Sequence, residues 1–317
     1  MNPEIIALIT GSLALFLFSI NSLSNYLQDA LGDKARQIIS HYNRNLFLSI
    51  VIGTLVTIAL GSSSAAIIIA IIFVNAGSLS FRQSIGIVLG ANIGTTFSSQ
   101  LFALNIGAYA YLIMILGLSL MFVPKNPVYK RNGKITFFFG LLFFSLFLIE
   151  ESLSPFQNSD VVLNFMESIE GDPFKGALSG GVATLIIQSS SATVGLAIAM
   201  AKEGLIAGKA GLAVMLGAEL GTCSDTLLAT IGGSREALKT GLFHFLYSLL
   251  TIALGLLFFD GFVGLVELIS GSASLQRQIA NGHLLFNLLG VLIFVPFVPL
   301  VEKLLNRVVP SLEKTVK

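Results

Sequence analysis

The sequence predicts an all-α polytopic membrane protein with two inverted-topology repeats, each containing a re-entrant helical hairpin and a discontinuous transmembrane helix. Composition is the first reason: 54% of the 317 residues are hydrophobic and only 11% are charged, whereas soluble domains average about 25% charged residues. The second reason is a pair of polar breaks that recurs 127 residues later. The third is the short apolar segments around the first of these breaks, because a crossing helix needs about 20 apolar residues.

Other features of the composition narrow the class of protein. The net charge of +1 gives no indication of nucleic-acid binding, and the single cysteine, Cys223, excludes an intrachain disulfide framework and a multi-cysteine metal site. The segment Met1–Glu4 lacks the basic residues that begin a signal peptide, so we expect the first apolar stretch to be a retained helix. No polar segment is as large as a soluble domain, which predicts that the whole chain forms one membrane unit.

The internal repeat rests on two polar breaks that occur twice in the same order. The first break is Gly61–Ser64 in one half and Gln188–Ser191 in the other, each within a long apolar run. The second break, Gly90–Thr96 or Gly217–Cys223, follows at the same distance in both halves. Since no gap is needed between the breaks, they indicate a repeat in register.

The first repeat is predicted to occupy residues 1–127. Its elements are a crossing helix, an amphipathic helix at the membrane interface, a re-entrant hairpin, a broken helix and a second crossing, at about 5–20, 21–44, 45–76, 83–104 and 107–123. The serine break forms the tip of the hairpin, because neither arm is comfortably long enough to cross a bilayer.

The second repeat is predicted to occupy residues 132–258. The same five elements follow in the same order, at about 135–149, 150–175, 176–201, 210–231 and 241–258. Residues 259–317 are predicted to form an interfacial segment, a last crossing at about 280–301 and a cytoplasmic tail.

The distribution of basic residues predicts the topology. If each hairpin counts as no net crossing, each repeat crosses three times, so the repeats are inverted. One side of the membrane then holds 14 of the 18 lysine and arginine residues. The positive-inside rule assigns that side to the cytoplasm and predicts a plasma (bacterial inner) membrane protein with its N-terminus outside. Charge does not separate a hairpin from two full crossings, and arm length favours the hairpin.

The serine breaks are suited to an oxyanion. Serine is a good helix N-cap, and the N-terminus of each following helix would direct free N–H groups and a positive dipole end towards the tip. The predicted phosphate-binding residues are the six hydroxyls and one amide of the two breaks: Ser62, Ser63, Ser64, Gln188, Ser189, Ser190 and Ser191.

The second breaks are suited to sodium. Unwound backbone would free carbonyl oxygens, and the predicted sodium-binding residues add hard oxygen ligands: Asn92, Thr95, Thr96, Glu219, Thr222 and Asp225. Glu219 and Asp225 are the carboxylates placed well inside a predicted crossing, where such groups are functional candidates. They would repel an anion unless a cation or a proton neutralised them, which provides a route to coupling.

These motifs resemble those of the type II sodium–phosphate cotransporters. The family signature is a pair of Gln-Ser-Ser-Ser motifs in inverted repeats, each followed by a Gly-x-Asn-Ile-Gly-Thr-Thr-like stretch. Gln188–Ser191 match it in full, as do six of the seven residues of Gly90–Thr96. Gly61, Glu219 and Cys223 depart from it, standing where the family has Gln, Asn and Thr.

The resemblance implies a secondary active transporter, a bacterial member without a C-terminal regulatory domain, that couples sodium entry to phosphate uptake by alternating access. It implies that both serine motifs lie in re-entrant hairpins and form the phosphate and sodium sites together with the unwound helices. We expect sodium as coupling ion, no other cofactor and no enzymatic activity, since no P-loop or catalytic constellation appears.

Two alternatives remain open from the residues. The same fold could carry another oxyanion, or couple to protons through Glu219. A protein of another class, a non-transporting membrane sensor, would bind phosphate through the same motif. His244 and His283 are expected near helix ends as packing or interfacial residues. Stoichiometry, electrogenicity and oligomeric state are not indicated, although a homo-oligomer is compatible with the sequence.

Overall fold

The structure is a computed structural model that describes residues 3–42, 45–122, 126–156, 164, 168–169 and 171–310. Within these ranges the regular structure is helical. The helices are α1 (Pro3–Tyr42), α2 (Leu46–Leu60), α3 (Ser63–Asn75), α4 (Phe81–Phe102), α5 (Ala110–Phe122), α6 (Pro127–Leu153), α7 (Pro173–Ile187), α8 (Ser190–Lys202), α9 (Gly208–Gly221), α10 (Cys223–Leu228), α11 (Arg235–Leu257), α12 (Phe259–Ser270), α13 (Leu275–Phe294) and α14 (Val298–Val308). Short 3₁₀ turns cover Gly107–Tyr109, Ser154–Phe156 and Val295–Phe297.

The helix boundaries repeat with the sequence. A shift of 127 positions carries α2 onto α7 and α3 onto α8 at both ends, and carries the first residue of α4 onto that of α9. The polar breaks therefore sit at matching points of two helical units, α2–α4 and α7–α10.

Each first break ends one helix and begins the next through the same two backbone states. Gly61 and Gln188 adopt left-handed conformations, with φ of 64° and 57°, and so terminate α2 and α7. Ser62 and Ser189 are extended, and their hydroxyl oxygens accept hydrogen bonds from the third residue onward, at 3.2 Å in both cases. The resulting arms have only 13 or 15 residues, less than the roughly 20 of a crossing helix.

The first helix differs from its prediction. α1 is continuous over 40 residues, about 60 Å, so the prediction of a crossing at 5–20 and a separate interfacial helix at 21–44 is wrong. Leu23, Leu27 and Leu31 continue the apolar helical spacing across the expected junction, and no proline interrupts it. α1 packs along α6 and contacts α2 and α3.

The broken helix predicted at about 83–104 is wrong for the first repeat. α4 runs unbroken through Gly90–Thr96, and the chain bends by 74° only after α4. The side chains of Asn92, Thr95 and Thr96 donate hydrogen bonds to carbonyls of their own preceding turn, at 2.8, 3.0 and 2.7 Å, so they require no unwound backbone. In the second repeat α9 ends at Gly221 and α10 begins at Cys223, and Thr222 between them keeps near-helical backbone angles (φ −72°, ψ −14°).

Glycines in both second breaks bring helices into backbone contact. A Cβ on Gly90 would collide with the carbonyl of Ile50 in α2, and one on Gly217 with the carbonyl of Ala177 in α7. Neighbouring glycines one turn away extend the same seam in each unit. Small residues of this kind let membrane helices approach closely, which explains the glycine spacing without any break in α4.

Four helical segments of the described chain are long and apolar enough to cross a membrane: Glu4–His41, Pro127–Phe156, Arg235–Leu257 and Leu275–Val308. The bent pair α4 and α5 forms a fifth candidate if it is counted as one span. These helices indicate an integral membrane protein. A large part of the interfacial segment predicted at 150–175, and residues 311–317 of the predicted tail, lie outside the described residues.

The last predicted crossing, at 280–301, begins earlier than expected and lies within the candidate span Leu275–Val308. α13 starts at Leu275 and ends at Phe294, where a 3₁₀ turn leads into α14. α13 packs against α4, α8 and α9, so it contacts helices of both repeats.

Candidate anion and cation site

Both serine breaks open onto one cavity of about 220 Å³, which we call the serine cavity. The described residues that line it come from α1, from the two breaks and from the junction of α9 and α10: Ile20, Asn21, Ser24, Asn25, Gln28, Gly61, Ser62, Ser63, Ser64, Gln188, Ser189, Ser190, Ser191, Thr222 and Asp225. All seven predicted phosphate-binding residues are therefore brought together, although they lie more than 120 positions apart in sequence.

The cavity is the meeting point of two helix N-termini. α3 begins at Ser63 and α8 at Ser190, and both breaks lie in the cavity wall. Each N-terminus carries the equivalent of about half a positive charge on its free N–H groups. The described lining contains hydroxyls and amides but no lysine, arginine or histidine, so the attraction that it offers to an anion comes from backbone N–H groups and neutral donors.

Asp225 is the charged side chain among the described lining residues. Its Oδ2 accepts a hydrogen bond of 3.4 Å from Ser64 Oγ, and its Oδ1 accepts one of 3.4 Å from Ser224 Oγ. The first bond joins the N-terminal turn of α3 to α10. Thr222, in the break itself, lines the same cavity and donates to the Glu219 carbonyl at 3.0 Å. A carboxylate thus lies beside the place where an anion would bind.

The other predicted sodium-binding residues lie outside the lining of the serine cavity. Asn92, Thr95 and Thr96 are buried within α4 and bond to their own helix. Glu219 is buried in α9 and forms a different contact, described next. The structure therefore groups Thr222 and Asp225 with the serines and separates the remaining four from them.

Glu219 belongs to a buried chain of three polar side chains. Its Oε1 lies 2.7 Å from Nε2 of His283, and Nδ1 of the same ring lies 2.6 Å from Ser99 Oγ. The chain joins α9, α13 and α4, and His283 is fully buried in the interior of α13. His244 likewise lies in a helix interior, with Nδ1 2.8 Å from Thr226 Oγ1. The expectation that both histidines lie near helix ends is wrong.

Sequence reasoning missed the contribution of α1. Asn21, Ser24, Asn25 and Gln28 occupy one helical face, at spacings of three and four residues, and line the serine cavity. Their polarity is visible in the sequence, where it predicts an amphipathic helix at the membrane interface. The partner of Glu219 was also missed, and the signal for it was the acid itself, because a buried carboxylate needs a hydrogen-bonding partner.

Comparison with known proteins places this geometry in a family. The model of the Na+/Pi-cotransporter family matches the chain twice, over residues 15–151 and 147–275. The chain belongs to the Na+/Pi-cotransporter family. The resemblance inferred from the serine motifs is thereby confirmed, and the two matches agree with the repeated helix boundaries.

Relatives of this Na+/Pi-cotransporter family member carry different names. The chain is 28% identical to the uncharacterized protein YqeW of Bacillus subtilis over 95% of this chain and 97% of that one. It is 24% identical to the putative inorganic phosphate export protein YjbB of Escherichia coli K12 over 91% of this chain, which spans only 53% of that protein. A 99-residue segment, 31% of this chain and 14% of the relative, is 37% identical to human sodium-dependent phosphate transport protein 2B. No solved structure gives a significant match.

Proposed function

We propose that this protein is a secondary active transporter that couples sodium entry to uptake of inorganic phosphate by alternating access. The observation that carries the proposal is the serine cavity, onto which one serine-capped helix N-terminus opens from each repeat. Membership of the Na+/Pi-cotransporter family supports phosphate as the transported ion.

Phosphate binding at this cavity follows from its donors. The free N–H groups of α3 and α8 and the serine hydroxyls provide hydrogen bonds to several oxygens of a tetrahedral anion. Because the described lining offers no fixed positive side chain, the site stabilises the anion without holding it by a strong ion pair. A transporter needs such a balance, since the substrate must also leave.

Sodium coupling follows from Asp225. A carboxylate in the same cavity repels phosphate, and a cation bound beside that carboxylate removes the repulsion. Oxygens of Asp225, Thr222 and Ser64 are hard ligands of the kind sodium prefers. Binding of sodium would then strengthen binding of phosphate, and by thermodynamic linkage phosphate would strengthen binding of sodium.

Alternating access is supported by the short arms and the repeated units. We propose that α2–α3 and α7–α8 are re-entrant hairpins of two inverted repeats, spanning about 1–127 and 132–258. The plasma membrane location, with the N-terminus outside and the C-terminus in the cytoplasm, rests on the excess of basic residues in one set of loops. Movement of one repeat against the other would open the serine cavity to each side in turn.

Transport in proteoliposomes tests the proposal directly. Radiolabelled phosphate should accumulate under an inward sodium gradient and should not accumulate when potassium replaces sodium. Reversing the gradient should produce efflux, because a secondary transporter runs in the direction its gradients dictate. Uptake that ignores sodium but follows a pH gradient would instead support proton coupling, for which the buried pair Glu219–His283 is the candidate. Phosphate binding without any flux would support the sensor alternative.

The substitution Asp225→Asn gives a sharper outcome. Loss of the carboxylate should raise the sodium concentration for half-maximal uptake by about tenfold or more, because the bound sodium loses a charged ligand. It should also strengthen phosphate binding measured without sodium, because the repulsion is gone. Asp29→Asn is the matched control, since Asp29 is exposed on α1 and outside the cavity lining. Unchanged sodium dependence in Asp225→Asn would exclude this carboxylate as the coupling site.

A further inference from the structure

The serine cavity has a third wall that belongs to neither hairpin. One face of α1 carries Asn21, Ser24, Asn25 and Gln28. These four residues line the serine cavity. The four residues recur at i, i+3, i+4 and i+7, so a single helix presents all of them to the same space. Three of them are amides, a side chain that both donates and accepts hydrogen bonds without carrying charge.

These side chains are fixed to the first serine break. Gln28 Nε2 donates to Ser24 Oγ at 2.9 Å, and Ser24 Oγ donates to the Leu60 carbonyl at 3.3 Å. Leu60 is the last residue of α2, so the bonds hold α1 at the point where the hairpin turns. Within the described chain, Asn21 and Asn25 make no hydrogen bond to protein, which leaves their amide groups available inside the cavity.

The two breaks differ at the position where α1 approaches. The second break begins with Gln188, whereas the first begins with Gly61, although both adopt the left-handed conformation. A Cβ on Gly61 would lie 3.3 Å from Cδ1 of Leu27, so a side chain at this position would meet the end of a leucine of α1. On this side of the cavity, amides come from α1 and none comes from the break.

We propose that Asn25 and Gln28 of α1 bind the oxyanion directly and supply, on the first-repeat side, the amide contact that Gln188 supplies on the second. This inference rests on the proposed function, since it assumes that a phosphate-like anion occupies the serine cavity. The amide N–H groups donate to anion oxygens, and the amide oxygens accept from a protonated oxygen of hydrogenphosphate. Because neither side chain is charged, both roles are filled without a fixed ion pair.

Phosphate affinity of the purified, full-length protein tests the assignment, measured by isothermal titration calorimetry in saturating sodium. Asn25→Leu and Gln28→Met should each raise the Kd by about tenfold, the loss expected for one hydrogen bond to an anion. Gln37→Met is the matched control, because Gln37 is an exposed amide on the same helix outside the cavity lining. Gln28→Glu keeps the side-chain size and should raise the Kd further than Gln28→Met through charge repulsion.

The outcomes separate this inference from the proposed function. If the wild type binds phosphate, and the α1 variants that retain the wild-type Tm bind as tightly as Gln37→Met, α1 is only a structural wall and the inference is overturned. If Gln28→Met does not fold, Asn25→Leu decides the question, because Asn25 lines the cavity and makes no hydrogen bond to the described part of the chain. A wild type that binds no phosphate would overturn the proposed function and this inference together.

Discussion

The two units α2–α4 and α7–α10 share their frame and differ in their polar chemistry. Their first breaks use the same left-handed residue and the same serine N-cap, and their glycine seams occupy matching positions. The differences lie where a ligand would be met: Gly61 against Gln188, and a continuous α4 against a helix interrupted at Thr222. The two units are therefore alike in how their helices end and pack. They differ in the polar side chains that they contribute to the serine cavity.

The C-terminal ends of α3 and α8 show a second contrast. Asn75 and Lys202, the last residues of α3 and α8, are 127 positions apart and each is anchored beyond its own unit. Asn75 Oδ1 accepts from the backbone N–H of Ser234 at 2.6 Å. Lys202 Nζ lies 2.5 Å from Oε2 of Glu150, and it also donates to Asn105 at 3.1 Å. The end of α3 is held by a neutral hydrogen bond and the end of α8 by a mostly buried ion pair.

The glycine seam should give the largest effect, and the same effect in both units. Gly90→Ala and Gly217→Ala each place a methyl group against backbone, so we expect losses of about 3 kcal/mol or more, or failure to fold. Gly264→Ala is the control, since nothing lies within 4 Å of its Cβ position and helix propensity should add up to about 1 kcal/mol of stability. Thermal unfolding in detergent measures the stability of all three variants. If Gly90→Ala were as stable as the wild type, the two units would not be structurally equivalent at this position.

The hairpin anchors should give a smaller and unequal effect. Lys202→Met leaves the Glu150 carboxylate buried without its partner, so we expect a loss of about 2 kcal/mol, reduced from that of a fully buried pair because Lys202 is 25% exposed. Asn75→Ala removes one neutral hydrogen bond and should cost about 1 kcal/mol.

Lys209→Met is the control for the anchors, because its ion pair with Asp260 is exposed and should contribute less than about 1 kcal/mol. Guanidinium or thermal unfolding of the three variants gives the ranking. Equal losses from Lys202→Met and Lys209→Met would show that the buried pair does not hold the second hairpin.

The smallest effect on stability, with a clear effect on binding, is expected at Gln188. Gln188→Gly turns the second break into a copy of the first without disturbing the left-handed backbone, which glycine adopts readily. Phosphate Kd should rise about tenfold while Tm stays equal or rises slightly. Gln188→Asn keeps an amide, and asparagine tolerates this conformation. Its phosphate Kd should lie between those of the wild type and Gln188→Gly. An unchanged Kd in Gln188→Gly would make Gln188 a helix terminator only.

The sequence predicted the serine breaks, their convergence and the family, because serine caps and left-handed terminators act locally and recur in register. The predicted break in α4 is wrong because glycine in a helix has two possible roles. It permits an unwound backbone, and it permits close contact between helices. Gly90 is used for the second, and the choice depends on α2, which lies across the seam. Local pattern carries no information on that neighbour.

Two other misses have equally physical causes. The polar face of α1 around Asn25 has the same periodicity whether it meets bulk water or an internal cavity, so amphipathicity alone cannot separate the two. The contact between Glu219 and His283 joins residues 64 positions apart, on helices brought together only by the fold. The need for a partner was predictable, and its identity was not.

The glycine seams have a consequence for movement. In each seam two helix backbones touch without intervening side chains. Sliding one helix along the other would force carbonyl and Cα atoms past each other. We therefore expect α2 and α4 to move together as a rigid pair, and α7 and α9 likewise. The second arms, α3 and α8, follow the left-handed residue at each break and pack against α4 and α9 respectively. Gly61 and Gln188 each connect a first arm to a second arm directly beside the serines of the cavity, so a change in the angle between the arms would be felt first by a ligand bound there.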